Sequence, residues 1–130
     1  MKYIIYTDGA YSPTKNTGGI GFVILKEGEL VCEFFKKFTN TTNQRMEQLA
    51  VAISLESIKV PSHICVYSDS AYVVNTYENG WKRKANNDLW DRIDKAIKFH
   101  KSVKFLHIKG HQSDKNWNNY VDKLAVCASK

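Results

Sequence analysis

Several features that would mark a membrane, secreted or zinc-binding protein are missing from this 130-residue chain. Its three cysteines, Cys32, Cys65 and Cys127, are odd in number and scattered, so neither a disulfide framework nor paired zinc ligands are expected. No apolar run is long enough to span a bilayer, and the N-terminus lacks the layout of a signal peptide. Linkers, repeats and low-complexity tracts are also missing. We therefore expect one globular domain over residues 1–130, a monomer without a membrane partner, in a reducing compartment, most simply the cytoplasm.

Acidic residues are the minority charge, with 13 Asp and Glu against 19 Lys and Arg, a net charge of +6 and a pI near 9.2. Such a balance favours a polyanionic partner such as nucleic acid. Solubility alone explains the charge of many small basic domains. The charge becomes informative only if acidic residues cluster where a metal ion would sit, inside an otherwise basic surface.

Hydrophobic periodicity predicts the element order β-β-β-α-β-α-α-β-α. The predicted strands cover residues 2–8, 18–26, 30–38, 63–69 and 102–108, and a tight turn at Glu27-Gly28-Glu29 makes a hairpin of the second and third. The predicted helices begin near Thr41–Asn43, where Thr41 and Gln44 match a capping box, and near Ser70, Asn87 and Trp117. A leading hairpin followed by helix–strand units predicts an α/β fold. Its five-stranded mixed sheet has three antiparallel N-terminal strands, then parallel strands, and helices flank it.

Four acidic residues fall at positions that this fold would bring together. Asp8 ends the first predicted strand and Asp69 ends the fourth, so adjacent parallel strands would present both carboxylates at the same edge of the sheet. Glu47 lies near the start of the first helix and Asp122 in the last. Carboxylates at close quarters resist joint ionisation, and a divalent cation such as Mg²⁺ or Mn²⁺ removes the conflict. Two such ions, roughly 3.5–4 Å apart, suit chemistry on a phosphodiester.

Each of these acids also has an ordinary structural interpretation. Asp8 before a glycine is typical of a turn, and Asp69 between two serines is typical of a helix cap. Glu47 has Arg45 nearby as a partner for an ion pair, and Asp122 has a lysine beside it. The joint spacing, more than any single residue, favours a functional site.

Four motifs extend this pattern over nearly the whole chain. They are "YTDGA", "TTNQRMEQLA", "YSDSAYVV" and "IKGHQSDKNWNNYVDKLA". Together and in order they closely resemble the type I ribonuclease H family. The resemblance implies a ribonuclease H-like fold and hydrolysis of the RNA strand of an RNA–DNA hybrid, leaving a 5′-phosphate and a 3′-hydroxyl. It also implies two Mg²⁺ ions, with Mn²⁺ as a substitute: Asp8 bridges both, Glu47 and Asp69 hold one side, and Asp122 holds the other.

The same resemblance suggests supporting roles for two polar residues. His111 corresponds to a histidine that helps leaving-group protonation or product release, although a lone loop histidine is more often a surface residue. Asn118 lies one helical turn before Asp122 and corresponds to an asparagine that would orient this carboxylate. A solvated helix position is the alternative for Asn118.

Substrate contacts are implied at two groups of positions. Minor-groove contacts with the hybrid correspond to Gly9, Ala10, Asn43 and Gln44, and contacts near the DNA backbone correspond to Asn16 and Thr42. Gly9 would let the backbone approach the RNA sugar closely. Thr42 also suits a helix cap, and both roles are compatible.

The chain departs from the family pattern in three places. Ala71 stands where glutamine is common, and the loop from His111 to Asp122 is one residue longer than in well-known bacterial members. The stretch "YENGWKRKANNDLW" replaces a longer basic helical handle and keeps only Trp81, Lys82, Arg83 and Lys84. Trp81 and Lys82 either contact the hybrid or belong to a solvated turn with Trp81 packed into the core. We expect weaker hybrid affinity than in relatives that carry the handle.

Three other functions remain open from the sequence. A phosphoacceptor receiver domain also places acids at strand ends and a lysine after the last strand, as Asp8, Asp69 and Lys109 do, but it has a helix where this chain has a glycine-rich hairpin. A hybrid-binding module with an inactive site is a second alternative. A different nuclease, resolvase or integrase on the same fold is a third.

Overall fold

The structure, a computed structural model, describes residues 1–108 and 117–130. The elements in these ranges follow the predicted order: β1 (Lys2–Ser12), β2 (Thr17–Lys26), β3 (Glu29–Thr39), α1 (Asn43–Ser57), β4 (His63–Ser68), α2 (Ala71–Glu78), α3 (Asn87–Phe99), β5 (Ser102–His107) and α4 (Trp117–Ser129). Within the described ranges, no helix combines the length and the apolar content needed to cross a bilayer.

The strands form one mixed sheet in the order β3-β2-β1-β4-β5. The β1–β2 and β2–β3 pairs are antiparallel, whereas β1–β4 and β4–β5 are parallel. Glu27 and Gly28 join β2 to β3 with positive φ angles of 52° and 81°. Positive φ at both central residues is the type I′ geometry that matches the twist of a hairpin. The predicted α/β fold is therefore confirmed, including its antiparallel and parallel halves.

The first and last helices cover opposite faces of the sheet. Ile20 and Phe22 of β2 belong to the buried apolar clusters that include α1 residues. The alternate residues Gly19 and Gly21 instead lie against α4. Since successive residues of a strand point to opposite faces, α1 and α4 sandwich the sheet. Helix α3 packs against α1 and contributes the buried Trp90 and Ile93, and α2 adds Val73 and Val74 to the same core.

Strand β1 is longer than the sequence predicts. It continues four residues past Asp8 to Ser12, because β2 pairs with it along this whole stretch. The parallel pairing of β1 with β4, however, stops at Thr7 and Ser68. The prediction that Asp8 ends its strand is therefore wrong. It lies where one of the two neighbouring strands ends and the other continues.

Helices α1 and α3 begin where the sequence predicts, near Thr41–Asn43 and near Asn87. The capping box at Thr41 is wrong, because Thr42 caps α1: its hydroxyl accepts a hydrogen bond from the backbone N–H of Arg45, 3.2 Å away. The cap position of α3 is Asn86, next to the predicted Asn87, and its φ of 60° is left-handed. Asparagine tolerates this conformation better than most residues. The side chain of Thr41 is instead buried.

Candidate active site

Three carboxylates converge at the carboxyl edge of the parallel strands. Asp8 is only 3% exposed, and Asp69 follows directly after the last residue of β4. Glu47 reaches the same place from α1. One ligand oxygen from each of the three lies within 4.8 Å of the others. The structure thus brings Asp8 and Asp69 together as the sequence predicts, although Asp8 arrives from within its strand.

Close contact between β1 and α1 places Glu47 beside Asp8. A Cβ atom on Gly9 would lie 2.7 Å from the backbone nitrogen of Glu47 and 2.9 Å from the Cβ of Met46. Such a contact is too short for any side chain, so only glycine permits this approach. The glycine is required by packing inside the protein, a reason different from the approach to an RNA sugar expected from the sequence. Its N–H also donates a 2.9 Å hydrogen bond to Oδ1 of Asp8.

A second glycine contact brings the fourth carboxylate into the cluster. Gly21 pairs with Asp8 across the β1–β2 ladder. A Cβ atom at Gly21 would lie 2.8 Å from the Cβ of Leu124 and 2.9 Å from the carbonyl oxygen of Val121. Helix α4 therefore lies directly on β2, and its Asp122 side chain is within hydrogen-bond contact of Asp8.

Burial and the neighbouring negative charges raise the pKa of Asp8 and of Glu47. Burial, with the neighbouring charges of Glu47, Asp69 and Asp122, raises the pKa of Asp8 to about 10. Burial and the charge of Asp69 also hold the pKa of Glu47 well above its usual range, although a backbone hydrogen bond from Gly9 opposes the shift. Without a cation, the cluster retains a proton at neutral pH.

The carboxylate cluster fits a divalent cation. Oε2 of Glu47 is buried and has no hydrogen-bond partner among residues 1–108 and 117–130. A buried carboxylate oxygen without a partner is costly, and hard oxygen donors are the ligands that Mg²⁺ and Mn²⁺ prefer. A cation here would satisfy that oxygen and offset the repulsion among the acids.

Comparisons with known proteins decide the family. The RNase H family model matches residues 1–130. The chain belongs to the ribonuclease H family. A ribonuclease H of Clostridium botulinum is 43% identical over 95% of this chain and 93% of its own length. A ribonuclease H of Desulforamulus reducens is 41% identical over 97% of this chain and 86% of its own length. With these relatives, the chain is a ribonuclease H enzyme, and the receiver-domain alternative is excluded.

The structural comparison agrees with this assignment. The crystal structure of LC11-RNase H1 in complex with an RNA/DNA hybrid superimposes with a TM-score of 0.85. The two sequences are 26% identical, and the match covers 98% of this chain and 96% of the other. The ribonuclease H-like fold predicted from the motifs is thereby confirmed.

The residues expected to contact substrate surround the N-terminal end of α1. Asn43 and Gln44 are exposed in the first turn of α1, which Thr42 caps. Asn16 lies in the β1–β2 turn, where its amide donates a 2.8 Å hydrogen bond to the side chain of Asn40. Asn40 lies three residues before the first residue of α1, so this bond ties the turn to the helix start. Gly9 and Ala10 lie partly buried on the adjoining part of β1.

Three expectations concern the last loop and helix. Asn118 is buried on α4, one turn before the half-buried Asp122. His111, expected to move a proton, lies outside the described residues, as does Lys109 of the receiver-domain alternative.

Trp81 does not pack into the core. Half of its surface is exposed, and Lys82 is exposed beside it. The tryptophan in the core is Trp90 of α3, which is 1% exposed. The alternative of a buried Trp81 is therefore wrong.

The sequence analysis missed residues that hold the site together. Gly19 and Gly21 in "GGIG" allow α4 to pack closely against β2. Repeated glycines within a strand could have indicated this close approach. Arg45 joins α1 to the start of α3 through a bidentate ion pair with Asp88, at 2.8 and 3.1 Å, and a 3.2 Å bond to Asn86. No local pattern in the sequence indicates that long-range pair.

Proposed function

We propose that this enzyme, as a single catalytic domain over residues 1–130 and as a monomer, hydrolyses the RNA strand of RNA–DNA hybrids and leaves 5′-phosphate and 3′-hydroxyl ends. The observation that carries the proposal is the convergence of buried carboxylates on a basic chain of the ribonuclease H family. The complex of LC11-RNase H1 with an RNA/DNA hybrid supports the choice of substrate.

The proposed ligands of two Mg²⁺ ions, with Mn²⁺ as a substitute, are the four acids. Asp8 would hold both ions, as the family resemblance implies, and the charges of the other three acids all act on its buried carboxyl group. Glu47 and Asp69 complete one side and Asp122 the other. When bound, the cations would activate the attacking water and stabilise charge on the leaving oxygen.

The surrounding residues are proposed to orient these ligands and move protons. The N–H of Gly9 fixes Oδ1 of Asp8, and burial keeps competing water away from it. Asn118, buried one turn before Asp122, is proposed to orient that carboxylate. His111 is proposed to carry a proton for the leaving group or for product release, on the strength of its Gly-His motif and the pKa of imidazole.

Hybrid recognition is proposed at the N-terminal end of α1 and the adjoining strand. Asn43 and Gln44, with the backbone at Gly9 and Ala10, would read the minor groove and the 2′-hydroxyls of the RNA strand. Thr42 and Asn16 would contact the DNA backbone, since a helix N-terminus favours phosphate. The exposure of Asn16, Thr42, Asn43 and Gln44 supports a recognition role for this end of the helix.

The test is cleavage of a hybrid labelled separately on each strand, with Mg²⁺ or with EDTA. We expect cutting of the RNA strand alone, dependent on the metal, with 5′-phosphate ends. Asp8→Asn should reduce the rate by at least about 10³-fold while hybrid binding persists, because the shared ligand is lost. Asp91→Asn, the same change at an exposed position of α3, should leave the rate unaltered.

The outcomes separate the proposal from its alternatives. Binding without cleavage under either Mg²⁺ or Mn²⁺ would indicate the hybrid-binding module. Cleavage of both strands, or of duplex DNA, would indicate another nuclease on this fold. Full activity of Asp8→Asn would contradict the proposed metal site.

The short basic stretch is proposed to bind the hybrid weakly. Trp81 and Lys82 are exposed and suit stacking and phosphate contact. We expect Trp81→Ala with Lys82→Ala to lower affinity, and affinity to fall as salt rises. Tight binding that the double substitution does not change would contradict this role.

A further inference from the structure

The stretch between α2 and α3, residues 79–86, is held to the body of the protein by its own arginine. Arg83 forms a bidentate ion pair with Asp94 of α3, at 2.6 and 3.0 Å. Its guanidinium carbon also lies 5.2 Å from the centre of the Tyr77 ring and 5.5 Å from that of Trp90. Two ion-pair bonds and two aromatic contacts on one side chain make a well-defined anchor.

The partner of Arg83 is itself fixed. The hydroxyl of Tyr77 donates a 2.9 Å hydrogen bond to Oδ1 of Asp94. Hydrogen bonds from Arg83 and Tyr77 lower the pKa of Asp94, so this carboxylate is ionised at neutral pH. The charge of Arg83 is thus matched by an acid of the protein in a partly exposed ion pair, and a phosphate would compete with Asp94 for the guanidinium.

Other contacts hold the stretch at both ends. The indole N–H of Trp90 donates a 3.1 Å hydrogen bond to the carbonyl of Ala85, and the backbone N–H of Trp81 donates to the carbonyl of Asn75 at 3.2 Å. At Asn86 the stretch meets Arg45 of α1. It therefore lies beside the N-terminal end of α1, where hybrid recognition is proposed.

The two lysines that flank Arg83 behave differently from it. Lys82 and Lys84 are exposed, and within the described part of the chain neither forms an ion pair. Arg83 is thus paired with an acid of the protein, whereas Lys82 and Lys84 on either side of it face solvent. A backbone that is already ordered loses less entropy when its side chains bind a ligand.

We propose that Arg83 is a positioning residue for substrate binding, which anchors residues 79–86 on Asp94, Tyr77 and Trp90 so that Lys82 and Lys84 meet the phosphates of the nucleic acid. This inference rests on the proposed function, because the phosphates are those of the hybrid.

The sharpest test replaces the acid of the pair. Asp94→Asn removes a negative charge, so simple electrostatics predicts tighter binding of a polyanion. The anchor predicts the opposite: KM and Kd for the hybrid should rise about 3- to 10-fold, with kcat within about twofold. The matched control is Asp91→Asn, an equal change of charge on the same helix. Asp91 is exposed and acts on Arg83 through its charge but not through a hydrogen bond or ion pair, so we expect binding equal to or tighter than wild type.

Two further comparisons distinguish an anchor from a direct contact. Arg83→Lys keeps the charge but loses the bidentate geometry, so it should weaken binding nearly as much as Arg83→Ala. In a chain that already carries Trp81→Ala, Lys82→Ala and Lys84→Ala, adding Asp94→Asn should raise KM no further, because no contact between this stretch and the hybrid remains to be positioned. The slope of log Kd against log salt should flatten both in Asp94→Asn and in the variant with Lys82→Ala and Lys84→Ala.

The results would overturn the inference as follows. Tighter binding by Asp94→Asn, like that of Asp91→Asn, would contradict it, as would full rescue by Arg83→Lys or an additive loss in the chain that lacks Trp81, Lys82 and Lys84. These failures concern binding by a wild-type enzyme that still cuts the hybrid. Failure of the proposed function would show itself separately, as absence of cleavage by the wild type.

Discussion

Replacing Asp8 with asparagine is expected to stabilise the metal-free protein, and to do so increasingly as the pH rises. The carboxyl group of Asp8 is buried among Glu47, Asp69 and Asp122. Its pKa is about 10 in the folded protein, against 3.8 for an ordinary aspartate. Between these values the folded chain holds a proton that the unfolded chain has released, so the free energy of unfolding falls with rising pH.

The size of the effect follows from one proton. One proton bound in excess by the folded state changes the free energy of unfolding by about 1.4 kcal/mol for each pH unit. From pH 5 to pH 8 the loss is therefore at most about 4 kcal/mol. Relaxation of the other acids makes the true value smaller. Since asparagine cannot ionise, the advantage of Asp8→Asn over wild type should grow by up to this amount across the interval.

The measurement is urea unfolding of wild type and Asp8→Asn at several pH values between 5 and 8, in EDTA. Asp91→Asn serves as the control, since its exposed carboxylate should leave the pH dependence unaltered. Saturating Mg²⁺ at pH 8 should stabilise the wild type more than Asp8→Asn, because the cation replaces the proton. An advantage of Asp8→Asn that is the same at pH 5 and pH 8 would refute the reasoning.

Three further predictions concern packing and capping. Gly19→Ala should lower the free energy of unfolding by more than about 2 kcal/mol, because the new Cβ would lie 2.6 Å from a backbone nitrogen of α4. Gly28→Ala, in an open turn at φ 81°, should lower it by about 1 kcal/mol. Trp90→Ala should cost about 3–5 kcal/mol, whereas Trp81→Ala, at an exposed residue, should change unfolding little and weaken hybrid binding. Thr42→Ala should cost about 1 kcal/mol through the lost cap of α1. Urea unfolding tests each prediction. Equal losses of stability for the two glycine variants or for the two tryptophan variants, or an unchanged stability for Thr42→Ala, would contradict them.

The order of the elements was predictable because local patterns carry it. Alternating and helical periodicities, with turn residues such as Glu27 and Gly28, identify strands, helices and the hairpin without reference to distant parts of the chain. The errors lie at the ends of elements. Strand β1 runs past Asp8 because its neighbour β2 continues there. The residues of one strand do not by themselves indicate how far a neighbouring strand pairs with it.

The candidate site was predictable as a set of residue types, and the strand order also predicted that Asp8 and Asp69 meet. The packing of α1 and α4 that brings Glu47 and Asp122 to them was not predictable. The motifs indicated Asp8, Glu47, Asp69 and Asp122, but the contacts that bring them together depend on glycines whose partners lie far away in sequence. Gly9 meets the backbone of α1, and Gly21 meets that of α4. The ion pair between Arg83 and Asp94 could not be predicted from the sequence either. An arginine in a basic stretch is more readily interpreted as a phosphate contact than as the partner of a distant acid.

By itself, the sequence determined the family, the element order and the identity of the four acids, because periodicity and motif spacing are local properties of the chain. Tertiary structure alone decided that Asp8 lies inside its strand, that Trp81 faces solvent while Trp90 fills the core, and that the charge of Arg83 is matched within the protein. The physical reason is the same in each case. Burial and pairing are properties of two surfaces in contact, and a residue acquires them only when distant segments pack against it.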